Sequence, residues 1–388
     1  MKPLSSQQRP RPIGSQLLAS LTTRATVLSP DRAHSITFDR EGRWLFYFCN
    51  GRTYKRSLAS EVHLRFRQGT RRRRHLPDEE ARQVFEEVQQ LAQDIHGIST
   101  GEVRRRLAEE ILPWTPTRLA AEKSRFQLAY RPISILPPDQ YLAVVLQATE
   151  GCTWNDCTFC NFYMDRPFRI REATEFAAHV TAVQHLLGEG LRLRRDIFLA
   201  DGNALAMSNR KLLPLLEIVQ EFFPGRRLNG FVDLVSGERR TADDWRELRG
   251  QGLERVHVGM ESGLDELLEF VNKPGSAQEL TEFVAVLKSV DLQISLIVMI
   301  GLGGREFRHR HRAASENLLL DLPLDRRDQI YLSPFIEHAG STYQQQRQAA
   351  ELTPMSEDEV EEEMTQMASR LRREGLRVSR YDIREFVY

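Results

Sequence analysis

Three of the chain's four cysteines lie within nine residues of one another. Cys152, Cys157 and Cys160 stand in the run Gly-Cys-Thr-Trp-Asn-Asp-Cys-Thr-Phe-Cys, which follows an apolar segment. Cysteine thiolates in short loops hold iron–sulfur clusters, and three thiolates leave one iron of a four-iron cluster open to another ligand. The spacing therefore predicts a metal site that is suited to catalysis rather than to plain electron transfer.

Two other interpretations of these cysteines stay open. A structural zinc site needs a fourth ligand, and the nearest histidine, His179, lies far along the predicted following helix. Three cysteines could also be close in sequence by chance. The fourth cysteine, Cys49, lies in the run Leu-Phe-Tyr-Phe-Cys-Asn and is predicted to be a buried strand residue rather than a ligand.

The cysteine run resembles the cluster-binding loop of the radical S-adenosylmethionine (radical SAM) superfamily, and most closely the group with elongator-type and oxygen-independent coproporphyrinogen oxidase proteins. That superfamily usually has three residues in the first gap, two in the second, and an aromatic residue before the last cysteine. Here residues 153–156 make a first gap of four, whereas Thr158 and Phe159 match the second gap and the aromatic residue. The resemblance implies a 4Fe–4S cluster on the three thiolates, with Phe159 at the cofactor site.

The same resemblance implies the reaction: S-adenosylmethionine (SAM) binds the open iron and is cleaved reductively to a 5′-deoxyadenosyl radical, which abstracts hydrogen from a substrate. It also implies SAM contacts further along the chain. Asp201, Gly202 and Asn203 stand where the superfamily has a glycine-rich turn for the methionyl amino group. Glu261 and Ser262 resemble its Glu/Gln-Ser-Gly turn at the ribose and methionyl end. For residues 201–203 the alternative is an ordinary strand-to-helix turn.

Two further SAM contacts are implied by the resemblance. Lys273 matches a basic residue that pairs with the SAM carboxylate, although a solvated lysine at a helix terminus is the alternative. Ile300 and Gly301 begin a glycine-rich turn where main-chain groups read adenine. Glycine there lets a flat ring approach the backbone closely.

Alternating strands and helices are predicted to position these residues. Six such units between Tyr141 and Tyr343 indicate an α/β fold, an open partial (β/α)6 barrel of the TIM type. Each implied SAM contact follows a predicted strand, at the end where parallel barrels place their sites. After the strand that precedes the cysteines, the predicted strands are Asp196–Ala200, Gly230–Ser236, Arg255–Met260, Ile294–Ile300 and Gln329–Ser333.

The terminal regions suggest a division into four parts. Residues 1–34 are predicted to be an extension and residues 35–130 a basic α+β domain, with an antiparallel sheet over residues 35–56 and a helix from Pro77. Residues 131–345 form the predicted barrel. Residues 346–388 are predicted to form a helix, opened by the capping box at Ser356 and Glu359, and an edge strand.

Charge is distributed unevenly along the chain. Its net charge is zero, but residues 1–130 have 23 basic and 14 acidic residues, which is an excess of nine positive charges. The excess centres on the segment from Arg65 to Arg74. It could bind phosphate, as in RNA, or an anionic substrate or partner. A solvated loop and helix face is the favoured alternative, because no aromatic residue interleaves the run from Arg71 to Arg74.

Composition narrows the function further. No run of about 20 apolar residues suggests a membrane span, and residues 1–10 contain no apolar signal core. The few cysteines favour a reducing cytoplasm. The cysteines are too few to hold auxiliary iron–sulfur clusters, and no cobalamin signature is present. The remaining chemistry is direct hydrogen abstraction from a substrate. It would need a reductant such as flavodoxin or ferredoxin. An iron–sulfur redox sensor or binding protein, and an RNA-binding protein, are the alternatives. The sequence does not name the substrate.

Overall fold

The computed structural model describes residues 17–68 and 70–388. They form two compact units. The first contains the described residues up to Pro132 together with Thr181–Arg195 and Val387–Tyr388, and the second contains Ile133–Val180 and Asp196–Phe386. The expectation about a signal segment concerns residues 1–10 and lies outside the described part of the chain.

The first unit is built on a seven-stranded antiparallel sheet whose strands pair in sequence order. Its strands are β1 (Leu18–Leu21), β2 (Ala25–Ser29), β3 (His34–Asp39), β4 (Trp44–Cys49), β5 (Arg52–Arg56), β6 (Val62–Gln68) and β7 (Thr70–His75). The sheet is therefore larger than the predicted one over residues 35–56. The arginine-rich segment 65–74 was not predicted to contain strands, yet it forms most of β6 and β7. Arginine is compatible with these strands because one face of the sheet is open to solvent.

Three helices follow this sheet: α1 (Asp78–Ile98), α2 (Gly101–Arg106) and α3 (Pro116–Ala129), with a π-helical turn at Leu107–Ile111. Three acidic residues occupy the first turn of α1, where their negative charges interact favourably with the helix dipole and stabilise the helix. The apolar side of α1, including Val84, Phe85 and Val88, packs on Ile36 and Tyr47 of the sheet. Burying that one sheet face leaves the other face open.

From Val144 onwards the chain alternates strands and helices. In order these are β8 (Val144–Gln147), β9 (Thr149–Glu150), β10 (Arg169–Ile170), α4 (Ala173–Leu187), β11 (Ile197–Ala200), α5 (Asn209–Phe222), β12 (Leu228–Phe231), α6 (Leu234–Glu238), α7 (Ala242–Gly250), β13 (Leu253–Glu261), α8 (Asp265–Phe270), α9 (Ala277–Ser289), β14 (Gln293–Ile300), α10 (Gly304–Asp321), β15 (Gln329–Pro334), α11 (Thr342–Ala349), α12 (Glu357–Arg373) and β16 (Val378–Arg380).

The second unit contains a seven-stranded parallel sheet in the order β16-β15-β14-β13-β12-β11-β8. Six of its strands are followed by helices, which confirms the predicted α/β fold with an open partial (β/α)6 barrel of the TIM type. β16 adds a seventh strand from the C-terminal region, after the predicted helix. All residues of β8, β11, β12 and β15 are buried, as expected for parallel strands covered on both faces.

Two predicted strands differ from the structure. The strand expected over Gly230–Ser236 ends at Phe231, because the Asp233 carboxylate accepts a hydrogen bond from the backbone N–H of Ser236 at 2.7 Å and begins α6. The edge strand expected after Leu376 is limited to β16. There the Asp382 carboxylate accepts from the N–H of Arg384 and begins a 3-10 turn. Short polar side chains favour such local caps over a continued strand.

The parallel topology brings several loops to one edge. The carboxyl ends of β11, β12, β13 and β14 lead into the residues that follow Ala200, Phe231, Glu261 and Ile300, and β8 leads through the short β9 into the residues that follow Glu150. Sites of parallel barrels lie at this edge. None of the described helices is both long and apolar enough to cross a lipid bilayer.

Candidate metal and cofactor site

The three clustered cysteines lie on the loop between β9 and β10, and each is partly exposed. Gly151 begins this loop with φ +78°. A Cβ at this position would lie 2.9 Å from the carbonyl oxygen of Pro167. Glycine is therefore required both for the backbone conformation and for the close return of the loop's far end.

The loop is fixed by hydrogen bonds to the segment that follows α8. The indole Nε1 of Trp154 donates to the carbonyl of Asn272 at 2.9 Å, and the Asn272 side chain donates to the carbonyl of Asp156 at 3.0 Å. The backbone N–H of Thr158 donates to the carbonyl of Val271, also at 3.0 Å. The four residues of the first gap are thus held in one conformation.

A left-handed residue accommodates the longer first gap. Asn155 has φ +53°, a region that asparagine tolerates better than most residues. Its side chain donates to the carbonyl of Tyr163 at 3.1 Å, which ties the gap to the far side of the loop. Between the second and third cysteines, the N–H of Cys160 donates to the carbonyl of Cys157 at 3.0 Å and closes a tight turn.

A partly buried cation faces the thiols. Lys273 lies with its Nζ 3.4 Å from Oε1 of Glu261. Burial alone favours the neutral amine, but the Glu261 carboxylate and, more weakly, the thiols of Cys157 and Cys152 raise the pKa of Lys273. In turn burial raises the pKa of Cys157 to about 12 and that of Cys160 in the same direction, and the Lys273 ammonium opposes both shifts.

This donor set fits an iron–sulfur cluster. Three thiols on one loop interact electrostatically with one another, and iron binding deprotonates a coordinating thiol whatever its free pKa. The ammonium of Lys273 compensates the negative charge of the thiolates. The only group of three His, Cys, Asp or Glu side chains with mutually close ligand atoms in the described residues lies elsewhere, at Glu61, His63 and His75.

The turn after β11 is hydrogen-bonded to the start of the cysteine loop. Asp201 is 2% exposed and accepts hydrogen bonds from the Gln147 side chain at 3.0 Å and from the backbone N–H of Gly151 at 3.4 Å. Burial raises the pKa of Asp201, and the Gln147 hydrogen bond and the Arg166 charge oppose this. Gly202 lies against the ring of Tyr163, which leaves no space for a Cβ.

Asp233 is a functional candidate that the sequence reasoning missed. Its carboxylate accepts from the hydroxyls of Thr153 and Ser236, both at 2.8 Å, and from the Asn203 side chain. The side-chain Oδ1 of Asn203 accepts from the N–H of Asp233 at 2.9 Å. Asn203 is fully buried. The Asp-Leu-Val-Ser helix cap was the available signal, but the segment was assigned to a strand.

Glu261 and Ser262 point in different directions. Glu261, with φ +57° and 7% exposure, turns toward Lys273, and a Cβ on Gly259 would collide with its carboxylate. Burial raises the pKa of Glu261, which Lys273 opposes. The Ser262 hydroxyl instead contacts Nδ1 of the buried His311 on α10 at 2.7 Å. The structure therefore brings Glu261, but not the Ser262 hydroxyl, toward the thiols.

The turn after β14 is fixed by Phe335 and Tyr343. The carbonyl of Ile300 accepts from the N–H of Phe335 at 2.8 Å, and the N–H of Gly303 donates to the Tyr343 hydroxyl at 3.0 Å. Gly301 has φ +96°. Tyr343 also donates its own N–H to the carbonyl of Thr158 at 3.1 Å, so one residue holds this turn to the cysteine loop.

Phe159 is half-buried and packs against an apolar cluster rather than standing free. The members of that cluster are Leu267, Val271, Leu302, Phe307, Tyr343 and Leu352. The cluster joins α8, α10, α11 and the turn after β14. Phe159 therefore anchors the C-terminal part of the cysteine loop in the wall of the barrel.

The family model of the radical SAM superfamily matches residues 146–315, from β8 into α10. The match covers less than half of the chain, and this part of the chain is similar to that superfamily. The superfamily uses a 4Fe–4S cluster and SAM. The match contains the cysteine loop and every residue to which the resemblance assigned a SAM contact.

Solved structures of low sequence identity are similar to parts of the chain. Coproporphyrinogen III oxidase (HemN) from Escherichia coli, described as a radical SAM enzyme, is 14% identical over 66% of this chain and 56% of its own, with TM-score 0.47. Elp3 from Methanocaldococcus infernus is 16% identical over 52% and 51%, with TM-score 0.42. Methylornithine synthase (PylB) is 14% identical over 75% and 74%, with TM-score 0.44.

The chain therefore spans only about half the length of HemN and of Elp3. The curated proteins searched contain no match.

Proposed function

We propose that the protein is a radical SAM enzyme that holds a 4Fe–4S cluster on Cys152, Cys157 and Cys160. The observation that supports this most is the placement of one loop with three thiols beside the Lys273–Glu261 pair, at the carboxyl ends of parallel strands. Thiols and a compensating cation are what a cluster and a carboxylate-bearing ligand require together.

The chemistry that the cluster supplies when it is bound is one electron for SAM cleavage to methionine and a 5′-deoxyadenosyl radical, which abstracts hydrogen from the substrate. The chain's own residues bind and orient SAM. Lys273 offers a cation for the SAM carboxylate, and Glu261 a carboxylate for its ribose and methionyl end. Ile300 and Gly301 remain the proposed adenine contacts, on main-chain groups.

Five of the proposed cofactor contacts also hold other parts of the site in position. Asp201 accepts from the N–H of Gly151, and Asn203 bonds Asp233 and Thr153. Both hold the start of the cysteine loop in place. Gly202 keeps the turn close to Tyr163. Ser262 fixes its turn to α10 through His311, and Phe159 anchors the loop's end.

Partners and compartment follow from this chemistry as proposals. A reductant such as flavodoxin or ferredoxin supplies the electron, and a reducing cytoplasm protects the cluster. The substrate is unidentified and is proposed to be anionic or RNA, from the basic excess of the N-terminal part. The only cysteine outside the loop is Cys49, so direct hydrogen abstraction without an auxiliary iron–sulfur cluster is proposed.

The test is anaerobic reconstitution with iron and sulfide, followed by addition of SAM and dithionite and quantification of 5′-deoxyadenosine. We expect product from the wild type and from Cys49→Ala, and none from Cys157→Ala. Cys49→Ala is the matched control because it removes a thiol from the first unit. A reconstituted cluster without SAM cleavage would favour the iron–sulfur sensor or binding protein, and absence of a cluster would overturn the assignment.

A further inference from the structure

One face of the first unit's sheet carries aromatic and basic side chains next to one another. Phe46 and Phe48 on β4 are 40% and 37% exposed. Lys55 on β5, Arg65 on β6 and Arg73 on β7 follow on the neighbouring strands. These five residues are here called the sheet-face patch. The proposed radical chemistry makes no use of them.

Strand register brings the patch together. Directly opposed residues of antiparallel strands point to the same face. Two rows of such residues cross the strands from β4 toward β7: Phe46, Lys55, His63 and His75 in one, and Phe48, Thr53, Arg65 and Arg73 in the other. Each row therefore leads from an exposed aromatic ring to basic side chains. Phe66 alternates to the opposite face and packs on the core, so the aromatic rings on the same face as Arg65 and Arg73 come from β4.

The two exposed rings are not part of the hydrophobic core of the first unit. The opposite face of the same strands is apolar and packs on α1 through Ile36, Tyr47 and Leu64. Strand alternation leaves Phe46 and Phe48 on the other side, where the burial pattern of β4 is buried and exposed in turn from Leu45 to Phe48. The Lys55 ammonium lies 5.9 Å from the centroid of the Phe46 ring.

The patch has the chemistry of a single-stranded nucleic acid site. Cations pair with phosphates, and flat rings stack with unpaired bases, independently of sequence. Phe46 and Phe48 are two residues apart on one strand, about 7 Å, and β4 to β7 spans three strand spacings, about 14 Å. This is enough for a few nucleotides. The two rows contain no acidic residue; Glu61, just before β6, lies near the end of the first row, at His63 and His75.

We propose that the sheet-face patch binds single-stranded RNA, with bases on Phe46 and Phe48 and phosphates on Lys55, Arg65 and Arg73. RNA is preferred to DNA because the hydroxyl of Thr53 stands between ring and arginine in its row, where it can bond a ribose 2′-hydroxyl. This goes beyond the proposed SAM chemistry, and RNA binding requires neither SAM nor the cluster.

The test is fluorescence anisotropy of the full-length protein with a labelled single-stranded RNA of mixed sequence, across a salt series. We expect Phe46→Ala/Phe48→Ala to weaken binding by about tenfold or more at an unchanged salt slope, because stacking is lost without charge. Arg65→Ala/Arg73→Ala is expected to reduce the slope of log K against log salt by about 1.4 for two lost phosphate contacts.

The matched control is Arg52→Ala/Arg72→Ala. It removes the same charge from exposed positions on β5 and β7 that alternate to the opposite side, and we expect less than a threefold change. Phe46→Leu/Phe48→Leu keeps apolar side chains at both positions but removes the flat rings. This variant replaces the alanine variant in the experiment if circular dichroism shows that the alanine variant does not fold.

The proposal would be overturned by no RNA binding at low salt, by equal effects of the control and patch variants, by unchanged binding of the phenylalanine variants, or by tighter binding of DNA of the same sequence. Loss of binding on addition of EDTA would also overturn it, because the site would then be a metal ion at Glu61, His63 and His75.

Discussion

At the level of single residues, Gly151 determines how the cysteine loop leaves the sheet. Gly151→Ala places a Cβ 2.9 Å from the Pro167 carbonyl oxygen at φ +78°, so the loop must shift. We expect the variant to hold less than half of the wild-type iron after reconstitution. Iron and sulfide analysis on the folded protein measures this.

Gly51 provides the control for backbone conformation. It also has φ +78°, but a Cβ there meets nothing within 4 Å. Both alanine variants therefore carry the same left-handed cost of about 1–2 kcal/mol, and only Gly151→Ala adds the collision. Equal iron contents in the two variants would contradict a steric role for Gly151.

Lys273 is the residue on which the proposed SAM carboxylate contact depends. Lys273→Gln should leave the cluster in place and weaken SAM binding by about 10- to 100-fold, the worth of a hydrogen bond to a charged group. Equilibrium dialysis of SAM on reconstituted protein measures this. Lys288→Gln is the control, because Lys288 pairs with Asp325 and Asp328 at 2.7 Å, before β15 begins. SAM affinity that is the same in both variants would argue against the contact.

At the level of elements, the start of α6 links the cysteine loop to β12. The Asp233 carboxylate caps α6 and also accepts from Thr153. Asp233→Ala should therefore lose the cap, which costs about 1 kcal/mol, and in addition loosen the loop, so that the cluster is lost faster to a chelator. The decay of cluster absorbance with EDTA measures this.

Thr241→Ala is the matched variant for that experiment. Thr241 forms a capping box with Asp244 at the start of α7, and its side-chain hydrogen bonds lie within that helix turn. It should lower the unfolding free energy by a similar amount while cluster loss stays as in the wild type. Faster cluster loss in both variants would show a general effect of helix stability instead.

The sequence predicted local patterns better than long-range partners. The strand Ile294–Ile300, observed as Gln293–Ile300, and the capping box at Ser356 follow from residues that are adjacent in the chain. The bond from Trp154 to the carbonyl of Asn272 joins residues more than one hundred positions apart, and no periodicity encodes it. Strand register, which places Phe48 in line with Arg65, could not be predicted either, because no local sequence pattern encodes it.

At the level of the whole molecule, buried histidines tie stability to pH. His257 lies fully buried between Phe198 and Phe231, and burial lowers its pKa to about 4, which Asp139 opposes and Arg255 reinforces. An unfolded histidine titrates near 6.5. The unfolded chain therefore binds more protons between pH 6.5 and 4, and stability that is fully present above pH 6.5 is lost across this window.

His257→Leu should remove that contribution. We expect its unfolding free energy to fall less between pH 7 and pH 5 than that of the wild type, by about 2 kcal/mol. Burial also lowers the pKa of His311 to about 4, so part of the pH dependence should remain. Urea unfolding at the two pH values measures the difference, and identical pH dependence in both proteins would be inconsistent with a buried neutral His257.

The central claim is that three thiolates hold a four-iron cluster whose remaining iron binds SAM. Mössbauer spectroscopy of protein reconstituted with ⁵⁷Fe, recorded before and after addition of SAM, tests it most directly. The account predicts that one of the four irons changes its isomer shift when SAM is added, while the other three do not. Four irons that remain equivalent with SAM present, or a bound zinc ion instead of iron, would contradict it.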